Sequence, residues 1–395
     1  MTRGVAFGLA SSRRLLAGVG ARGAPSAGRT DLGVVARLHA RYRATGADLP
    51  FGDPLHAHGL AMEGYFWRLT HEGRSLIALI GVNAPSDGSP PWATLGLADS
   101  DGFLRTMAAD SGWADPSALG ARSGSAFEAS ADRVRVDLDP DARCEFVIRD
   151  PVRWPNRVVG GSSGFHVVPG LNQYWHPWLL GGRADGWAVL DGHRLDFRGA
   201  QVYAEKNWGR GGFPDAWWWG QAQGFDDPDA CVAIAGGLVH AGPLRTTVTA
   251  LVVRLPGGAV VRLGNPGISP VRADVTDERW LLHGRGGGWR IVVEGRAPLG
   301  DAHVLPVPLP DERRNTAGDL EHLAGDLRIE VRHRGTLVWS GHSPVAALEH
   351  GGLARAEAEL RRRGIPPGVV DAPPWRGGAV PFGGDSASSL GGRTT

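Results

Sequence analysis

Beyond Pro50 the chain all but loses the 3.6-residue recurrence of apolar positions that a packed helix needs. Short alternating or apolar runs bounded by Gly, Pro and Asp take its place. Strands are expected at 65–70, 75–82, 134–138, 145–148, 187–190, 195–207, 217–225, 232–238, 246–255, 260–263, 290–294, 327–333 and 336–340. Asp191-Gly192 and Pro256-Gly257-Gly258 sit between consecutive windows as hairpin turns, which argues for antiparallel pairing. So many strands leave edges that must be paired or closed, and two β-barrel or sandwich domains meet that need. Helical spacing survives at 31–43, behind Asp31, and at 354–363. The expected organisation is an N-terminal segment with a short helix (1–48), two β domains (49–190 and 191–353), and a C-terminal helix with a flexible Gly/Ser/Pro-rich tail (354–395). The Pro/Gly-rich stretch 149–186 reads as a long connection, the kind that is functional or joins domains.

Composition removes several classes of function. The chain has 395 residues and a net charge of +1, so no whole-molecule field draws it to nucleic acid, and no nucleic-acid partner is expected. Cys144 and Cys231 are too few for a disulfide framework and wrongly spaced for a thiolate zinc site, which suits a reducing compartment. Arg13-Arg14 with Leu15-Leu16-Ala17 looks superficially like a twin-arginine leader, but the apolar stretch is short and ends at Arg22. A cytoplasmic protein is expected, with room for peripheral membrane contact to collect an apolar substrate. His56-Ala-His58 has a spacing that can bind metal, with Glu63 near in sequence, but a pair of His in a loop is more often solvent-exposed or structural, so no metal site is assigned. The glycine runs at 160–164 and 284–288 do not link a strand to a helix, and no nucleophile elbow is present.

Two features point to chemistry. Lys206 is the only lysine among 42 basic residues, at a place where a compact, rotatable ammonium could be required; a structural ion pair would explain it equally well. Eight of the fifteen Trp fall between 154 and 219. Along 195–208 the odd face carries Tyr203, Glu205 and Asn207, and along 217–225 it carries Trp217, Trp219, Gln221 and Gln223, while Gly220, Ala222 and Gly224 leave the other face bare. A barrel interior lined in this way fits a flat apolar ligand with a polar head; an ordinary aromatic core is the alternative. Glu205 or Glu63, if kept neutral by burial, could donate a proton, and indole faces could stabilise a cation. Alternation sends Lys206 away from Glu205, so both cannot line one cavity without a bulge.

The string Tyr203-Ala-Glu-Lys-Asn-Trp-Gly209, followed by Phe213-Pro214 and Trp217-Trp-Trp-Gly-Gln221, resembles the central signature of the tocopherol cyclase family. Glu63-Gly64-Tyr65-Phe66, Tyr174-Trp175-His176-Pro177 and Ala346-Ala-Leu-Glu-His-Gly-Gly352 resemble further parts of it, with Tyr65 where plant members carry Trp. The resemblance spans about residues 50–352. It implies two lipocalin-like β domains and a cofactor-independent, acid-catalysed cyclisation of a prenylated hydroquinone to a chromanol. The implied roles are Glu205 as proton donor or anchor, Lys206 and Asn207 as organisers of the hydroquinone oxygens or of Glu205, and Tyr203 as hydrogen-bond partner. Trp217 and Trp219 would be cation-stabilising walls, with Glu63, Tyr65, Tyr174, Trp175, Trp208 and Gln221 completing the substrate site. The same cavity could serve a carrier of a prenylated quinone without chemistry. Exposed, coplanar Trp217–Trp219 side chains would instead suit a carbohydrate-binding module.

Overall fold

The strand Met62–His71 finds its partner far along the chain, in His193–Gly209, with Glu63 opposite Trp208, Gly64 opposite Asn207 and Phe66 opposite Glu205. The computed structural model describes residues 31–155 and 159–366. His193–Gly209 is the hub of a twelve-stranded antiparallel sheet. It pairs with Met62–His71, with Arg183–Leu190 and, over its last third, with Gln173–Leu179. The sheet curls back on itself, since Arg105 Nε on the end strand Leu104–Ala109 meets Asp139 Oδ2 on Arg133–Asp139 at 2.7 Å. A second antiparallel sheet of ten strands begins at Trp217–Ala222 and ends with two long strands, Arg314–His333 and Thr336–Gly351.

Each sheet curls around its own apolar core. In the first, Tyr65, Trp67 and Leu95 meet Phe127, Val134 and Phe146 from the other arm. In the second, Ile234 and Leu251 meet Trp280, Ile291 and Leu348. The outer faces of the central strands then pack on each other, joining Ile77, Trp175 and Tyr203 of one sheet to Trp219, Ala233 and Ala347 of the other. The molecule is mainly β with two half-closed sheets, as the sequence implies. The change of sheet lies between Gly209 and Trp217 rather than at 190/191, because the strand after residue 190 completes the first sheet. Both sheets belong to one compact unit that begins at Arg41, and residues 31–40 belong to a separate unit.

The hairpin turn expected at Asp191-Gly192 forms, with positive φ at both residues as a type I′ turn requires. The helix at Asp31–Arg43 also forms where periodicity puts it, and Leu353–Arg362 is helical, with Ala356 and Leu360 packed against Leu320 and Val304. The 149–186 segment is more ordered than its Pro and Gly content suggests. It contains a short 3₁₀ turn at Ser163–Val167 and the strand Gln173–Leu179, whose register slips between His176 and Leu179 around Pro177, a residue without an N–H. The leader-like stretch near Arg13 and the flexible tail expected after 366 lie outside the described residues. No helix among the described residues is long and apolar enough to cross a membrane.

Small residues make room for the large indoles. A methyl group at Gly351 would fall inside the Trp217 ring, and one at Gly236 would meet the Trp218 indole nitrogen. Gly351→Ala should therefore displace Trp217 and destabilise the protein by about 1–3 kcal/mol. Urea titration followed by tryptophan fluorescence checks this, with an altered native emission as the sign of displacement.

Candidate active site

Antiparallel partners share a face, so the register fixes what stands in front of the hub strand. Glu205 and Asn207 lie on one side with Met62, Gly64, Phe66 and Trp175. Facing them, Trp217, Trp219 and Glu349 share a side of the second sheet. Between these faces lies a cavity of about 190 Å³ lined chiefly by apolar groups, including Phe66, Leu79, Phe213, Val248 and Leu305. It sits between the sheets, not inside a barrel as expected, because the interior of each curled sheet is filled by its own core. Gly64 is required by this arrangement, since any side chain there would collide with the Asn207 amide lying over it.

Glu205 is the most elaborated group in the cavity. Its Oε2 accepts three hydrogen bonds, from Tyr203 Oη at 2.6 Å, Trp219 Nε1 at 2.7 Å and Trp175 Nε1 at 2.8 Å. Burial pushes its pKa up to about 7; the three donors oppose that shift by favouring the anion, and the charge of Glu349 adds to it. Among the described residues no donor reaches Oε1, which leaves one carboxyl oxygen of a cavity-lining group uncommitted. Asn207 Oδ1 is a buried acceptor without a partner.

Opposite, Asp319, Glu321 and Glu349 bring three carboxyl groups within 4.8 Å of one another, and all three line the cavity. The pairings Asp319 with Gly351 and Glu321 with Glu349 put them on one face of adjacent strands. Trp217 Nε1 donates to Glu349. Burial raises the pKa of all three, and their mutual repulsion raises Asp319 and Glu321 further. Sequence reasoning assigned no role to this trio. Its signal was acidic residues at alternating positions of otherwise apolar runs, Asp319-Leu-Glu321 and Ala346-Ala-Leu-Glu349.

Several expected site residues lie behind the hub strand, away from the cavity. Lys206 is fully buried there, with Nζ 2.9 Å from Glu63 Oε2. Its ammonium also donates to the carbonyls of Pro54, Leu55 and His56 and lies 3.3 Å from His58 Nδ1. Desolvation lowers its pKa, and the Glu63 charge opposes the shift. Glu63 Oε1 accepts the N–H groups of His58 and Gly59. This is a structural staple holding the 54–59 loop to the sheet, which corrects the expectation that Lys206 organises substrate oxygens and that Glu63 contacts substrate. With His58 Nε2 3.0 Å from Asp48 Oδ2 and Nδ1 facing the ammonium, neither ring nitrogen is available to a metal.

Trp208 is likewise structural, sandwiched between the rings of His58 and Tyr174 at centroid distances of 4.5 and 5.5 Å. Tyr65 and Tyr174 border the cavity, but their rings pack behind the strand, Tyr65 beneath the Lys206 ammonium. Gln221 is fully buried outside the cavity, accepting from Arg68 Nη1 at 2.7 Å. Tyr203 reaches the site only through its bond to Glu205. Glu205, Asn207, Trp175, Trp217 and Trp219 do converge on the cavity. Trp217 and Trp219 are 6% and 5% exposed, which removes the exposed platform that a carbohydrate-binding module would need.

A model of tocopherol cyclase-like proteins matches residues 139–352, more than half of the chain and inclusive of both carboxyl centres. The chain belongs to the tocopherol cyclase-like family. It is 28% identical over 232 residues to a probable chloroplastic tocopherol cyclase of Oryza sativa subsp. japonica, covering 53% of this chain and 47% of that protein. It is 33% identical over 106 residues to the chloroplastic tocopherol cyclase of Zea mays, 26% of this chain and 22% of that one. The chain thus spans less than half the length of these relatives. Among solved structures, CghA with Sch210972 aligns at 13% identity and a TM-score of 0.49, over 74% of this chain and 88% of that one. Kievitone hydratase from Nectria haematococca aligns at 9% and 0.44, over 74% and 89%.

Two outcomes follow from these environments. Removing the ammonium behind the hub strand leaves a buried carboxylate unpaired, so Lys206→Met should cost about 3–5 kcal/mol in a urea titration. Glu205 binds its proton more tightly folded than unfolded; its contribution is fully present below the unfolded carboxylate pKa and is lost as pH rises through about 7. The melting temperature of the wild type relative to Glu205→Gln should therefore fall from about pH 5 to about pH 8, a comparison that cancels the other titrating groups.

Proposed function

We propose that the protein is an intramolecular cyclase acting on a prenylated hydroquinone or similar prenylated phenol and closing it to a chromanol without a redox cofactor. The observation that carries this reading is the Glu205 carboxyl, buried in an indole-walled cavity and poised near neutrality with one oxygen uncommitted. Addition of a phenol across its own trisubstituted alkene needs a proton delivered to carbon, a dry surface that tolerates a tertiary cation, and an acceptor for the phenolic proton. A carboxyl group titrating near 7 can give or take a proton at neutral pH. Trp217 and Trp219 supply π faces, each able to stabilise a nearby desolvated cation by ~0.5–2 kcal/mol. Asn207 Oδ1 is suited to receive a hydroquinone hydroxyl.

Within this reading Glu205 is a proton-transfer group or anchor, Tyr203 and Trp175 position it, and Lys206 acts only by holding the hub strand from behind. A carrier of the same lipid would have no need for titratable groups on both walls of an apolar cavity, because buried carboxyls weaken binding of an apolar tail. An apolar substrate of this class partitions into membranes, so collection from a bilayer surface is part of the proposal.

Incubation of the purified protein with a panel of prenylated hydroquinones should yield a chromanol, seen as a chromatographic shift without a change in mass. Glu205→Gln should lower kcat by about a hundredfold with little change in ligand affinity. Trp219→Leu, which keeps an apolar wall but removes the π face, should lower kcat by about tenfold. Binding without product across the panel would replace the cyclase by a carrier.

A further inference from the structure

The two walls of the cavity offer their carboxyl groups very different numbers of hydrogen-bond donors. On the first sheet, three donors converge on one oxygen of Glu205 and favour its anion against the effect of burial. On the second, Asp319, Glu321 and Glu349 when ionised can only accept, and the indole of Trp217 is the one side-chain donor that reaches them among the described residues. Both oxygens of Glu321, a fully buried residue, and Oδ1 of Asp319 find no donor at all. The nearby Arg68 guanidinium spends its terminal nitrogens on Thr70, Gln221 and the Val345 carbonyl. Three carboxylates so close together in a dry cavity would be left with unsatisfied acceptors and a repulsion that the Arg68 charge offsets only in part. Protons resolve both problems, because a carboxylic acid at Glu321 or Asp319 can donate to Glu349.

Resting on the cyclase reading, we propose that Asp319, Glu321 and Glu349 act as one proton-sharing acid that protonates the alkene, while Glu205 on the facing wall accepts the phenolic proton. The alkene π pair forms a new C–H bond with a proton from the cluster, which becomes one unit more negative and leaves a tertiary carbocation. A lone pair of the phenolic oxygen forms the C–O bond, and the proton of that hydroxyl passes to Glu205. One proton enters and one leaves, the substrate's formula is unchanged, and no oxidant or reductant takes part. Exchange with water resets the two groups. The indoles lie between them: Trp219 pairs in register with Glu349 while donating to Glu205, so its ring borders the path from acid to base.

Deuterium exchange separates the two half-reactions. A prenylated hydroquinone whose cyclising hydroxyl is methylated cannot close its ring, but its alkene can be protonated and deprotonated, so in D₂O the recovered ether gains deuterium. The wild type and Glu205→Gln should both label this ether at similar rates, although Glu205→Gln fails to cyclise the free hydroquinone. The Glu321→Gln/Glu349→Gln double variant should label it about a hundredfold more slowly while binding it with a dissociation constant within about threefold of wild type. Glu349→Gln alone, which keeps volume and an acceptor for Trp217, should lose about tenfold and serves if melting shows the double variant unfolded.

Labelling lost in Glu205→Gln and retained in the cluster variants would overturn the assignment and leave the cyclase reading intact. Loss of wild-type cyclisation with EDTA, restored by Mg²⁺, would also overturn it, making the cluster a metal site. A wild type that neither cyclises nor labels any member of the panel would remove the cyclase reading itself, and the assignment with it.

Discussion

A β-strand turns consecutive side chains to opposite faces, and in His193–Gly209 this rule separates two ionisable networks that are neighbours in sequence. Glu205 faces the inter-sheet cavity and Lys206 faces the staple, one peptide apart. The sheet is thus a partition: the cation that would hold Glu205 ionised is kept on the other side of the backbone. Met62–His71 repeats the division, placing Glu63 with Lys206 and Phe66 with Glu205. Loop, staple and cavity wall all take their positions from this register.

That partition also explains what could be read from the sequence. Many strands were legible because apolar runs end at turn residues, and the 260–263 strand and the 31–43 helix appear at the expected residues, but others, such as Trp92–Asp99, Arg279–Gly286 and His303–Leu309, fell outside the expected windows. The long strands Arg314–His333 and Thr336–Gly351 were seen only in their outer halves, since their inner halves carry the acidic residues that interrupt an apolar pattern. Glu205, Asn207, Trp175, Trp217 and Trp219 were recognisable through alternation and aromatic clustering. Lys206, Glu63 and Trp208 were drawn into the site because they belong to the same contiguous strings, although half of any such string on a strand points away. Asp319 and Glu349 are brought together by pairing between strands, which no local spacing encodes. The position of the cavity was misread for a related reason: which side of a curled sheet is filled depends on residues distant in the chain.

The carboxyl groups of the cavity work against stability, since burial raises the pKa of every one of them. The two apolar cores are separate from the cavity, so that burden is confined to the contact between the sheets. Polar strain sits where ligands would bind, and hydrophobic packing sits where nothing needs to move. Gly64, Gly236 and Gly351 serve the same end, giving up side chains so that an amide and two indoles can lie flat against the backbone.

The pairing of Glu63 with Trp208 joins residues about 145 positions apart. During synthesis, the Met62–His71 and Arg74–Asn83 hairpin must keep one edge open until the hub strand has emerged from the ribosome. At ~5–20 residues per second that interval is on the order of 10 s. For that time an apolar strand edge is presented to the crowded interior of a cell, where another nascent chain could add to it. The architecture that separates Glu205 from Lys206 therefore makes the protein a demanding client of the folding machinery, and its yield should depend on how well that edge is shielded while translation continues.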